Sequence, residues 1–380
     1  MRPLLAIYAD PANYPPTVNS TKLLAKRFTS VKLLGRCLKT ETLKLPKNAK
    51  VQYTHECVSQ EELKQLSYFR KLSFFYRFFK YIKKEVKTGK YTHLLCYDLL
   101  ALLAGYLALR STQQVKLWFH SHDVIHNHTV SKYSLMGLAK WLEPTIFKRI
   151  DIFTLPVKER LTYYPLSNRI KHNSLVMPNY PMKELIAKES KVLRDNEFVN
   201  LIYQGSLGDN HGFEQLIDVL ETKVNNRQLT LTLIGPIQSG YKESLLKRAE
   251  QLGVTNYVSI KEGVPYSKLH HITRAFDVGI ATHLPGKKAI YNLGATSSNK
   301  IYEYAAAGLP VLLFDTEHYQ QYLAERDWAF FTDLTCESVV TSVSNIIERY
   351  EGISTSAIRD ITNELNYDSV FNQTIDQILA

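Results

Sequence analysis

The sequence has no run of eighteen apolar residues, so no transmembrane helix is expected. Its opening, MRPLLAIYADPANYPP, lacks the long apolar core and small-residue cleavage site of a secretory leader, and reads as a strand entering a loop. Cysteine is scarce. Cys37, Cys57, Cys96 and Cys336 form no CxxC pair, which speaks against a disulfide framework or a zinc knuckle. They read as small buried or half-buried side chains in a reducing compartment. Internal repeats and low-complexity tracts are absent, and no nucleic-acid-binding motif is present. Acid is in deficit: 36 Asp and Glu stand against 47 Lys and Arg, a net charge of +11. That excess calls for an anionic partner: phosphate, nucleic acid or an acidic membrane surface.

What is present is an ordinary globular mix over 380 residues, enough for two domains. Apolar runs of strand length recur between helical patterns. In the first half they are Leu4–Tyr8, Val31–Leu34, His93–Tyr97, Val115–His120 and Ile152–Leu155. In the second they are Leu201–Gln204, Thr230–Ile234, Val258–Ile260, Val278–Ala281 and Val311–Phe314. Most lack two-residue alternation, as expected of strands covered on both faces. The order predicts two doubly wound α/β domains, over 1–180 and 181–362, with a junction near VMPNYPMKEL, where two prolines and an asparagine break the pattern. An amphipathic helix over 363–380 closes the chain.

LIYQGSLGDNHGFEQLIDVL, from Leu201, reads as a strand, a loop with Gly205, Gly208 and Gly212, and a helix. Glycines there let a ligand approach the backbone, and the helix start offers free N–H groups to phosphate, although the spacing is not GxGxxG. Val264-Pro265-Tyr266, Asp277-Val278-Gly279-Ile280 and SSNKIYEYAAAGLPVLLF (Ser297–Phe314) follow in order. This succession, Leu201 to Phe314, resembles the donor half of retaining glycosyltransferases of the GT-B fold, in the large group called family four. The resemblance implies two Rossmann-like domains facing across a cleft.

It also implies an activity: transfer of a sugar, with retention, from a UDP- or GDP-sugar to a glycan or lipid-linked acceptor in bacterial surface-polysaccharide synthesis, in the cytoplasm. An epimerase or hydrolase of nucleotide sugars on the same fold, or a catalytically weakened binding subunit, are the alternatives. The glutamate matching Glu303 holds the ribose diol in that family, a role that suits a carboxylate with two acceptor oxygens. Ser297, Ser298, Asn299 and Lys300 at the helix start would face the diphosphate, with Gly205, Ser206 and His211 in the first loop and Gly263 and Val264 against the base. The sequence departs from the family at Ala295, where a first glutamate is usual, and at Ser206 and His211, where Arg and Lys are usual. Lys287 and Lys288 are candidates for the missing charge, or ordinary surface lysines. Such enzymes generally need no cofactor or bound metal, and none is expected here.

In the first half, KLWFHSHDVIHNHTV holds four histidines with no helical HxxxH beside an acid, so a metal site is not expected. The resemblance places a histidine and an acid near the reacting sugar after this strand. His122 with Asp123 fits, and His120 competes because the register is ambiguous by two residues. Asp10, Asn13 and Tyr14, in the loop after the first strand, are candidates for acceptor contact. Between Phe69 and Lys84 aromatics and bases interleave. Phe74, Phe75, Arg77, Phe78, Lys80, Lys83 and Lys84 read either as an amphipathic helix on an anionic membrane, peripheral to its inner face, or as a core helix with a solvated basic face. Nucleic acid is not the expected partner.

Overall fold

A computed structural model of the chain describes residues 1–38, 43–110, 114–193, 197–284 and 298–380. Strands that are apolar on both faces demand helices on both faces, and two such sandwiches form. The first unit comprises Met1–Pro178 and Val370–Ala380, and the second Asn179–Ser369.

In the first unit, β1 (Pro3–Ala6), β2 (Val31–Gly35), β3 (Ala49–Tyr53), β4 (His93–Cys96), β5 (Lys116–His120), β6 (Ile152–Leu155) and β7 (Ser174–Val176) form a parallel sheet in the order β3-β2-β1-β4-β5-β6-β7. Leu4, Leu94, Leu117 and Phe119 face a layer built from the helices Tyr68–Lys87, Leu99–Leu109 and Leu135–Phe147. Beneath the sheet, Trp118 stacks on Phe371 of the closing helix, Tyr367–Leu379, with ring centres 6.4 Å apart.

Two expectations are corrected here. Phe74, Phe75 and Phe78 are 2%, 8% and 0% exposed, and so face the core rather than a membrane. They recur with Ile82 and Val86 at helical spacing, which turns the aromatic stripe inward against the Leu99–Leu109 helix. Arg77, Lys80 and Lys84 are exposed on the other side, and Lys83 is half-buried. The second correction concerns cysteine. Cys37 and Cys57 are joined in a disulfide, with Cα atoms 4.5 Å apart. Pairing of β2 with β3 continues past the strand ends to a bridge between Leu38 and Val58, which holds the two cysteines side by side. Cys96 is buried and Cys336 exposed.

The second unit holds β8 (Phe198–Gln204), β9 (Lys223–Val224), β10 (Arg227–Ile234), β11 (Val258–Lys261), β12 (Val278–Ala281), β13 (Val311–Phe314) and β14 (Ala329–Thr332). The sheet order is β11-β10-β8-β12-β13-β14, parallel throughout, with β9 pairing antiparallel to β10. In each sheet the strand order reverses once, between β1 and β4 and between β8 and β12. Ligands of open α/β sheets bind outside the carboxyl ends of strands at such a point. No described helix is long and apolar enough to cross a membrane.

Candidate functional site

Each unit carries a polar cluster at its reversal point. In the second unit, the turns after β8, β10 and β11 are laced together. The Gly205 amide donates to the Ile234 carbonyl (3.0 Å), and the Gly235 amide to the Lys261 carbonyl (3.1 Å). Gly205 and Gly235 have φ of +131° and +154°. A Cβ on Gly235 would stand 1.7 Å from the Gly205 carbonyl oxygen, so only glycine permits this approach. Gly263 and half-buried Val264 follow β11, with Gly263 beside Pro236. The Ser206 carbonyl lies 3.3 Å from the Tyr203 hydroxyl.

The helix Asn299–Ala306 begins at Ser298, whose side chain makes no capping hydrogen bond. Lys300, in its first turn, reaches back over the Tyr203 ring, 3.7 Å from the centre, and donates to the Tyr203 hydroxyl. Its partner is a phenol, and no ion pair holds it among the described residues. Burial lowers its pKa to about 7, against a smaller opposing pull from Glu303. His211 closes the chain of bonds. Its Nδ1 donates to the Thr282 carbonyl (3.1 Å), which leaves Nε2 to accept from the Tyr203 hydroxyl (3.0 Å). Burial first, and then Lys300, lower its pKa to about 4, so the imidazole is neutral. His211 therefore does not replace a phosphate-gripping lysine. It orients the tyrosine on which Lys300 rests.

Glu303, one turn on, is half-buried. Its Oε2 accepts from Gln204 Nε2 (2.8 Å), and the Tyr266 hydroxyl also bonds it. Gln204 is fixed in turn by the Thr273 hydroxyl, which donates to Oε1 (2.7 Å). Burial raises the Glu303 pKa, and Tyr266, Gln204 and Lys300 oppose that rise. A small cavity beside it is lined by Gln204, Tyr266, Thr273 and His270 among others. Ser297, Ala295, Lys287 and Lys288 lie outside the described residues.

In the first unit, a cavity of about 330 Å³ opens at the ends of β1, β4 and β5. Tyr14, Arg36, Tyr97, Asp98, His122, Asp123, Glu143 and Tyr164 line it. The His122 ring is stacked on Tyr97 (centres 5.2 Å apart) and lies 5.8 Å from Tyr14. It is 8% exposed, and its buried Nε2 has no hydrogen-bond partner among the described residues. Burial, then the Arg160 guanidinium that bonds the His122 carbonyl, lowers its pKa to about 3. A neutral imidazole facing a polar cavity is suited to hydrogen-bonding a hydroxyl group.

His120 is corrected by this geometry. It is fully buried beneath His122, its Nδ1 bonds Thr154 Oγ1 (2.9 Å), and it does not line the cavity. Asp10 is corrected too. It is 1% exposed, and its carboxylate accepts from the amides of Ala12 (3.0 Å) and Leu38 (2.8 Å), a turn-forming role. Asn13 is exposed and outside the cavity wall, whereas Tyr14 is in it. Asp123 is exposed at the cavity edge. His126 and His128 stack on each other (centres 5.5 Å apart), and among the described residues no three His, Cys, Asp or Glu side chains are grouped to hold a metal ion.

Sequence reasoning missed Tyr203, Gln204 and Tyr266 in the second unit, and Arg36, Tyr97 and Glu143 in the first. The signal for the first pair was position: Tyr203 and Gln204 end the strand that delivers Gly205. Glu143 gave none, since it is an acid inside an apolar helix whose exposure only the fold decides.

Comparison with known proteins bears on both units. Residues 199–348, most of the second unit, match the family model described as Glycosyl transferases group 1. A search of curated protein sequences found no match. Among solved structures, sucrose-phosphate synthase from Thermosynechococcus elongatus is similar with a TM-score of 0.71 at 13% identity, covering 100% of this chain and 98% of that one. HepE from Anabaena, in complex with UDP and glucose, is similar with a TM-score of 0.67 at 14% identity, covering 100% of both chains. WaaG, a glycosyltransferase involved in lipopolysaccharide biosynthesis, gives 0.62 at 14% identity over 99% of both chains. At such identities the likeness is one of fold. The chain has the GT-B fold, with two Rossmann-like α/β domains.

Proposed function

We propose that the chain is a retaining glycosyltransferase that moves a sugar from a nucleotide-sugar donor, bound by the second unit, to a glycan or lipid-linked acceptor bound in the His122 cavity of the first. The observation that carries this reading is Lys300. It is a desolvated amine seated on a phenol, beside two glycine turns at the sheet's reversal point, and an arriving diphosphate would stabilise its charged form. The match of residues 199–348 to group 1 glycosyl transferases supports the same reading. That HepE was crystallised with UDP makes a UDP-sugar the first donor to try. The involvement of WaaG in lipopolysaccharide biosynthesis favours a role in surface-polysaccharide synthesis.

In the reaction, the bond from the anomeric carbon to the diphosphate oxygen breaks. A bond to the acceptor hydroxyl oxygen forms on the same face, and the departing phosphate takes the hydroxyl proton. Lys300 and the Asn299–Ala306 helix start stabilise the charge that develops on the diphosphate. Glu303 exchanges the Tyr266 hydroxyl for the ribose hydroxyls. His122 orients a sugar hydroxyl through Nε2.

The test is incubation of purified protein with UDP- and GDP-sugars and a panel of acceptors, with the product's anomeric configuration read by NMR. A product that keeps the donor's configuration and forms only when acceptor is present supports the proposal. Conversion of the nucleotide sugar with no acceptor present would assign an epimerase or hydrolase instead.

A further inference from the structure

Charge is divided unequally between the units. The first carries 29 of the 47 lysines and arginines and 12 of the 36 acids, a net of +17, while the second stands at −6. Exposed apolar bulk follows the same division. Tyr68 (53%), Phe69 (81%), Tyr76 (56%), Tyr133 (79%), Leu138 (44%) and Trp141 (76%) all lie on the helices Tyr68–Lys87 and Leu135–Phe147 or the turn before the second. These helices flank the Leu99–Leu109 helix in one layer over the first sheet.

The two kinds of residue are interleaved. Leu138, Trp141, Thr145 and Lys148 are spaced three, four and three residues apart, so they share the outer face of their helix, and all four are exposed. On the neighbouring helix Phe69, Tyr76, Lys80, Lys84 and Lys87 do the same. Lys80 Nζ lies 5.4 Å from the centre of the Tyr76 ring, and Lys132 Nζ lies 5.0 Å from that of Tyr133. Tryptophan and tyrosine beside lysines are the anchors of a headgroup layer, where each ring is half in hydrocarbon and each ammonium meets phosphate. A protein-binding surface would be depleted in lysine at its centre.

We propose that this face of the first unit rests on an anionic phospholipid bilayer, with Trp141, Tyr133, Leu138 and Phe69 entering the headgroup layer and Lys80, Lys84, Lys132 and Lys148 contacting its phosphates. The sequence pattern assigns the apolar half of such a contact to Phe74, Phe75 and Phe78. The fold moves it to the outward residues, most of them on the Leu135–Phe147 helix or the turn before it. The proposal concerns the first unit alone and does not depend on the transfer reaction.

Tryptophan fluorescence tests it on the intact chain without donor or acceptor. Of the three tryptophans, Trp118 and Trp328 are buried and Trp141 is exposed, so a spectral shift reports this face. Vesicles of phosphatidylcholine, with and without phosphatidylglycerol, are the probe. Expected are co-sedimentation with the anionic vesicles alone, weakening as salt rises, and a blue shift of the emission. Trp141→Phe should abolish the shift while keeping most of the binding. Tyr133→Ala with Trp141→Ala should weaken binding roughly tenfold or more. Lys80→Gln and Lys84→Gln should each weaken it about fivefold. These residues are exposed, and an unchanged melting temperature confirms that each variant folds. Three results would overturn the proposal: no binding to anionic vesicles at low salt, binding without a blue shift that ignores the aromatic variants, or self-association of the chain through Trp141 in place of lipid binding.

Discussion

Lys300 shows how one residue can trade stability for binding. Its folded pKa, about 7, lies below the ordinary lysine value of 10.5, so folding disfavours its charged form. Below pH 7 that penalty is present in full, and it is relieved as pH rises from 7 toward 10.5. Stability of the second unit should therefore increase over that window in wild type and lose this component in Lys300→Met, as read by chemical denaturation. An anionic ligand reverses the preference by favouring the charged form. Nucleotide affinity should thus fall as pH climbs above 7, and Lys300→Met should weaken it about 10- to 100-fold while raising the melting temperature. His120 and His122 divide in a similar way. His120 is held under the surface by Thr154, so His120→Ala should cost about 2–4 kcal/mol of stability by leaving a void. His122 lines the cavity and its Nε2 is unpartnered among the described residues, so His122→Asn should cut transfer at least tenfold with little change in unfolding free energy. If the two variants exchanged these effects in a paired assay of turnover and melting, the assignment of His122 to the site would be wrong.

At the scale of elements, the site depends on how closely the Asn299–Ala306 helix sits on the sheet. Gly279 of β12 lies under Tyr304, and a Cβ there would stand 2.2 Å from the Tyr304 ring. The Tyr304 hydroxyl accepts from the Gln204 amide (2.9 Å), which ties the helix to the end of β8. Gly279→Ala should therefore lower stability by about 1–3 kcal/mol through overpacking. It should also weaken nucleotide binding, because it displaces Lys300 and Glu303 with their helix; unchanged affinity in a calorimetric titration would show that the helix tolerates the shift. Much of this architecture was legible in the sequence. The ten strands expected from apolar runs all form; nine are interior parallel strands, which bury both faces and cannot hide their composition, and β11 is an edge strand. β3 (AKVQY), β7 (SLV), β9 (KV) and β14 (AFFT) were missed: β3, β7 and β14 are short, part-exposed edge strands, and β9 is only two residues long. The Cys37–Cys57 bridge was missed for a related reason: without β3, nothing in the chain brings those residues together. Among site residues, side chains at strand ends were easier to place than their orientation. Alternation explains why His120 and His122 looked interchangeable, and only the Thr154 contact of His120 and its exclusion from the cavity wall separate them.

For the whole molecule, the chain crosses between units twice, and its last eleven residues belong to the first unit. Phe371 stacks on Trp118, and Asp376 pairs with Arg27. Removing Val370–Ala380 should therefore lower the melting temperature of the first unit while leaving nucleotide binding by the second intact, a separation visible as two transitions by calorimetry. A single transition with loss of nucleotide binding would mean that the units fold as one. The charge division belongs to the same scale, with the excess of bases on one unit and the candidate donor site on the other. The proposed activity requires above all that the second unit take a nucleotide-sugar through Glu303 and Lys300. Calorimetric titration of the intact protein with UDP, GDP and their common sugar conjugates, repeated with Glu303→Ala, tests this. One nucleotide should bind, and the folded variant should lose at least tenfold in affinity. Failure of every nucleotide to bind well-folded protein, or binding that Glu303→Ala leaves unchanged, would contradict it.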